Sequence, residues 1–169
     1  EPNSLLWGAL NPFRPHEMIP PTLVVDIGIS KVTVVIFTKG AIRFTSSIKI
    51  DMASTMPPDY LAMEWNEWVQ KRKEDWVTAQ KSLQELSKRI TEYIDYYEEH
   101  LIHLHEKNGE TLNDIIVCGA WGNFPEILDY LAKKLKKRVK GPEKMLPLHP
   151  AYTTALGIAL RGIYEEYYA

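Results

Sequence analysis

Two short stretches of this 169-residue chain set chemistry-bearing residues between apolar runs. The first, VVDIGISKVTVVIF (24–37), carries Asp26 and Gly28 between two strand-like segments. A carboxylate at a strand end can hold a Mg²⁺-bound water, and a glycine two residues later lets the backbone approach a phosphate. The plainer reading is a polar hairpin corner, and Asp-x-Gly alone does not separate the two. The second stretch, IIVCGAWGNFPE, puts Gly119 and Gly122 between a buried strand and a helix. Ligands of α/β sheets gather at such strand-to-helix crevices. Here the plainer reading is a tight turn that needs glycine for positive φ. The pattern lacks the third glycine and downstream acid of a dinucleotide fingerprint, and no Gly-Lys-Ser/Thr follows as in a P-loop.

The elements that must position these corners follow from periodicity. TLVVDIGI is nearly all apolar. In KVTVVIF, Val32, Val34 and Ile36 face one way and Thr33, Val35 and Phe37 the other, as expected of an interior strand. Lys39-Gly40 makes the next turn. In AIRFTSSIKI, Ile42, Phe44, Ile48 and Ile50 alternate with Arg43, Thr45, Ser47 and Lys49, which predicts a half-solvated strand near an edge. Together these strands make an antiparallel meander. Residues 59–106 lack proline and read as helical, with Leu83, Leu86, Ile90, Ile94, Tyr97, Leu101 and Leu104 as one apolar stripe, ended by Asn108-Gly109. The earlier part, with Trp65, Trp68 and Trp76, reads as a separate helix joined near Thr78. DIIVCGAWGNFPEILDYLAKKL is strand, turn and helix, with Asn123 and Glu126 as a capping box and Ile127, Leu128, Leu131 and Leu135 as the buried stripe. Arg138-Val139 starts another short strand. A last helix carries Ala155, Gly157 and Ala159, small residues that allow close approach. At the front, EPNSLLWGAL reads as a short helix, followed by a proline-rich connector through Pro12, Pro15, Pro20 and Pro21. The order β-β-β-α-β-α-α implies an α/β fold, a mixed sheet flanked by helices.

Composition narrows the function classes. Net charge is −2, which does not nominate nucleic acid or a membrane as partner. The single Cys118 cannot form an internal disulfide and fits a reducing compartment, so a cytosolic location is the default. No apolar run is long enough to span a bilayer. No nucleophile-His-acid triad is legible, and Cys118 sits inside an apolar strand, where a thiol is inert. His100, His103 and His105, near Glu99, allow a metal site, but solvated helix polarity is the expected reading. KKLKKRVK, with Lys133, Lys134, Lys136, Lys137, Arg138 and Lys140, could meet acidic lipid headgroups. The expected reading there is the outer face of an amphipathic helix with cations complementing the helix end. The tryptophans are residue types common at partner surfaces, and burial in the chain's own core is the expected alternative.

PTLVVDIGISKVTVVIFTKGAIRFTSSIKI resembles the second phosphate-loop hairpin of the actin-like, sugar-kinase and Hsp70 fold, a ribonuclease H-like lobe. DIIVCGAWGNFPEILDYLAKKLKKRV is similar to that superfamily's adenosine motif. LSKRITEYIDYYEEH is similar to the helix before it, HPAYTTALGIALRGI to the last helix, and EPNSLLWGAL to the end of the crossover helix from the first half. In detail the chain resembles the PilM-like proteins of type IV pilus assembly, and less closely FtsA. The resemblance covers most of the chain except residues 51–80, where an aromatic-rich helix replaces a small extra lobe. It implies a second actin-like lobe over 21–169, with 1–20 as helix end and connector and 51–106 as a helical insertion and long helix. The first half, with its own Asp-x-Gly strand, is expected elsewhere. The implied function is a cytoplasmic scaffold at the inner face of the membrane, docked to a PilN-like inner-membrane protein. An ATPase or phosphotransferase lobe and an FtsA-like division protein are the alternatives. ATP and Mg²⁺ are the implied ligands. Asp26, Gly28, Ser30 and Lys31 would face the phosphates, and Gly119, Ala120, Trp121 and Gly122 would flank the adenine. Two departures point to a weakened or lost nucleotide site: Ile29, Ser30, Lys31 and Val32 crowd the loop, and Trp121, able to stack on a base or plug the pocket, stands in a turn of small residues.

Overall fold

A computed structural model of the chain describes residues 7, 9–10, 21–28, 31–38, 41–49, 65–78, 80–81, 84–85, 87–93, 95, 114–122, 124–142 and 150–167. Strands β1 (Thr22–Ile27), β2 (Lys31–Thr38), β3 (Ala41–Lys49), β4 (Asp114–Cys118) and β5 (Arg138–Lys140) form one mixed sheet in the order β3-β2-β1-β4-β5. The meander is present, with β2 interior and β3 at the edge, as alternation predicts. β1 is the hinge of the topology: it pairs antiparallel with β2 and parallel with β4. Its two neighbours and its burial on both faces explain the run Leu23-Val24-Val25.

Side chains of period two feed two cores. Leu23, Val25, Ile27, Val34, Ile36, Ile115 and Val117 face one side. Val24, Val35, Phe37, Ile116 and Cys118 face the other, where Ala9 and Leu10 cover them. The front of the chain thus contributes core, not only a connector. In β3 the expected single apolar face is broken. Ile36 faces Phe44 but Phe37 faces Ile42, so a bulge inserts Arg43 and turns Ile42 to the second core.

On the first core's side lies α2 (Pro125–Leu135), which buries Ile127, Leu131 and Leu135 while Leu128 packs at their margin. Its N-cap is Phe124, without a side-chain cap bond, and Pro125 takes the first turn. The expected box of Asn123 with Glu126 is therefore one residue out of register, since Glu126 stands two places after the cap, not three. A further helix, α1 (Trp65–Glu74), closes where the Asp75 amide donates to the Lys71 carbonyl at 2.8 Å. Every described residue of 76–95 is helical again. The break falls at Asp75, not Thr78, because Asp75 Oδ1 accepts the Thr78 amide at 3.3 Å and starts the new helix. Ile90 carries this stretch into the first core, and Tyr93 donates its hydroxyl to Ser46 Oγ at 3.0 Å. The remaining stripe positions named above, the turns at 39–40 and 108–109 and His100, His103 and His105 lie outside the described residues. Beginning on the second side, where Thr153 bonds the Cys118 thiol, is α3 (Thr153–Tyr167), preceded by a 3₁₀ turn, Pro150–Tyr152. Gly157 is buried, but Ala155 and Ala159 are exposed, so only one of the three small residues serves close approach.

One polar lock joins β4 to β5. Asp114 is buried and takes a bidentate bond from Arg138, with Nε at 2.8 Å, while Lys140 Nζ lies 3.5 Å away. The Arg138 guanidinium holds the Asp114 carboxyl below its ordinary range. The folded pKa is thus lower than the unfolded one, so the pair's contribution is present above about pH 4 and fades as pH falls through the folded value. We expect Asp114→Asn to lose stability at pH 7 and to be less sensitive than the native chain between pH 5 and 2. Urea unfolding across that range measures it, and parallel acid profiles for the two proteins would refute it.

Candidate functional site

Because β1 and β4 run parallel with Asp26 opposite Cys118, both chains leave the sheet at the same end. There the two glycine corners touch. Gly119 adopts φ +87°, and a Cβ on it would stand 2.3 Å from Asp26 Oδ1 and 2.5 Å from the Ile27 carbonyl oxygen. Only glycine fits, for both conformation and space. Gly122 lies against the Cys118 carbonyl, where a Cβ would stand at 2.3 Å. Three backbone donors of the corner are used internally. The Gly28 amide donates to the Lys31 carbonyl at 2.9 Å, the Trp121 amide to the Ile27 carbonyl at 3.0 Å, and the Gly122 amide to the Gly119 carbonyl at 3.3 Å.

Register extends the corner across the second face of the sheet. Cys118, Asp26, Thr33 and Ser47 form one row over four strands, and Lys31 pairs with Lys49 beside it. Thr33 Oγ1 and Ser47 Oγ are hydrogen-bonded at 2.9 Å. Asp26 is half-buried, and burial raises its pKa while Lys31 opposes the rise. Cys118 is pushed far up by burial and by the neighbouring Asp26 charge, with a bond from the Thr153 side chain working the other way. That bond sets the start of α3 over the end of β4. The arrangement can present one carboxylate and two cations to an anion or a hydrated cation. A carboxyl raised by burial penalises the folded state once ionised. Asp26→Asn should therefore raise Tm at pH 7, with the gain shrinking as pH falls through the raised pKa. A thermal melt series checks it; a lower Tm at pH 7 would show instead that the carboxylate is needed for folding.

The structure gathers Asp26, Gly28, Lys31, Gly119, Ala120 and Gly122 at this corner, and Ser30 lies outside the described residues. Trp121 belongs to the turn but not to an open surface. It is 4% exposed and packs in the first core, its ring centroid 5.7 Å from that of Phe124. Its side chain packs into the interior of the first core rather than onto the second face. Thr33, Ser47 and Lys49 carry no local signal of this corner, because only strand register brings them beside Asp26 and Lys31, and Thr153 reaches Cys118 only through the placing of α3. Among the tryptophans, Trp76 is 45% exposed beside Val77 at 77%, whereas the side chains of Trp65 and Trp68 lie outside the described residues. Among the described residues no cluster could hold a metal ion through His, Cys, Asp and Glu alone, and no helix is long and apolar enough to cross a membrane.

A mixed sheet with a Gly-cornered hairpin beside a strand-turn-helix unit defines a class, and solved structures bear it out. The ethanolamine utilization protein EutJ from Carboxydothermus hydrogenoformans is 20% identical at TM-score 0.60, covering 94% of this chain and 52% of that one. The PilM-PilN type IV pilus biogenesis complex matches at 14% identity and TM-score 0.66, covering 96% and 51%. The activator of 2-hydroxyisocaproyl-CoA dehydratase from Clostridium difficile, with bound ADPNP, matches at 12% and 0.58, covering 96% and 65%. The chain has the actin-like ATPase fold. It spans about half the length of the first two of these structures. No family model matches the sequence. No curated protein matches it either.

Proposed function

We propose that residues 21–169 are the second lobe of an actin-like scaffold protein, with 1–20 as the end of a crossover helix and its connector. The close approach of Gly119 to Asp26 and Ile27 is the observation that supports this reading most: the two glycine corners, which would serve phosphate and adenosine, lie side by side. Asp26, Gly28, Ser30 and Lys31 would face phosphates and Mg²⁺, and Gly119, Ala120, Trp121 and Gly122 would back the adenine. The site is a weakened one. Nucleotide loops need outward amide donors, and those of Gly28, Trp121 and Gly122 are bonded inward. A lobe bearing its own Asp-x-Gly strand would complete the cleft, and exposed Tyr152, Ile158 and Ile163 on and beside α3 give it a surface to cover. The biological setting that fits best is the cytoplasmic face of a pilus or related secretion assembly, docked to a PilN-like membrane protein. Support for that partner comes from the likeness to PilM in its PilN complex.

A second reading, an ATP-binding ATPase or phosphotransferase lobe, is favoured by the retained Asp26 and by the ADPNP-bound neighbour. Calorimetry with Mg-ATP separates the two. The scaffold reading expects no binding tighter than about 1 mM, a free energy near −4 kcal/mol. Submillimolar binding that Asp26→Ala abolishes would replace it with the enzymatic one.

A further inference from the structure

At the end of the sheet opposite Asp26, α2 turns into β5 through a knuckle of cations. Lys133 and Lys134 stand in the last helical turn, Lys136 and Lys137 in the bend, and Arg138 and Lys140 in the strand. Asp114 engages Arg138 and Lys140. Among the described residues, no ion pair joins Lys133, Lys134 or Lys136 to an acid. The helix end accounts for Lys133 and Lys134, since cations are stabilised there. It does not account for Lys136, which holds φ 52° and ψ 35°. That left-handed position after a helix favours glycine, and a side chain there is a cost to the fold. A charged side chain thus stands where glycine would serve the backbone better.

We propose that this knuckle docks on an anionic lipid bilayer. Four lysines within five residues are point charges on flexible stems, suited to mobile headgroup phosphates more than to bidentate recognition. The chain as a whole is at −2, so the attraction is local to this end. Docking there leaves the Asp26 corner facing away from the membrane, and the inference does not depend on any nucleotide.

The full chain should sediment with phosphatidylcholine vesicles containing phosphatidylglycerol, stay in solution with phosphatidylcholine alone, and be released by high salt. Lys136→Gly should weaken vesicle binding by roughly five-fold, as loss of one lysine implies, while raising Tm. The pair Lys133→Gln and Lys134→Gln, which removes both charges without setting acids at the helix end, should weaken it further at near-native helix content. Equal sedimentation with neutral and anionic vesicles would overturn the proposal. So would full binding by these variants, or tighter binding to a DNA duplex than to the vesicles.

Discussion

Gly119→Ala should destabilise the chain by about 3–5 kcal/mol, the upper range for a single substitution. Two costs add. A non-glycine residue at φ +87° meets a backbone penalty of roughly 1–2 kcal/mol. Its Cβ would then lie 2.3 Å from Asp26 Oδ1 and 2.5 Å from the Ile27 carbonyl, and the second contact is with backbone that cannot swing aside. Equilibrium unfolding in urea measures the loss. The double variant with Asp26→Ala tests the cause. If removing the carboxylate restores most of the stability, the side-chain contact dominates; the geometry predicts that it restores little. A loss below about 1 kcal/mol in the single variant would mean the two corners are not packed as described.

Trp121→Ala should cost about 3–5 kcal/mol, as expected for an aromatic removed from a packed core. Phe at the same position should keep most of that, because the ring's partner Phe124 and the surrounding Val117 and Ile127 remain. The comparison discriminates between a base-stacking role and a packing role in the core. A residue serving as a stacking platform would yield an Ala variant of near-native stability and altered ligand binding. A core residue yields the reverse, and unfolding curves of the two variants decide between them.

The strands and the α2 stripe could be read from residue order alone because their signals are local. Alternation in β2 and β3, the apolar run of β4 and the four-residue spacing of Ile127, Leu131 and Leu135 each need only neighbours along the chain. What could not be read depends on pairing across the chain. The bulge that reverses Ile42 is visible only against Phe37. The lock between Asp114 and Arg138 requires the parallel register of β4 and β5, which no local pattern reports. The row from Cys118 to Ser47 needs three strand pairs at once. The side of the sheet that Trp121 packs against is likewise not legible in the turn itself; it follows from its packing with Phe124 in the first core. The capping residue moved from Asn123 to Phe124 because Pro125, with its φ already helical, starts the helix without a side-chain cap.

The place of β1 between an antiparallel and a parallel neighbour has a kinetic consequence. The hairpin partners of β1 are near in sequence, whereas Cys118 and Val25, which touch through a thiol and a carbonyl, are 93 residues apart. Closing that long loop is the slow, entropically opposed event in assembling such a sheet. The meander can form early, but the corner at Asp26 comes into being only when the β4 unit docks. In hydrogen-exchange labelling during refolding, the Trp121 amide, held by Ile27, should gain protection later than the β1–β2 amides, making this corner a late marker of native structure.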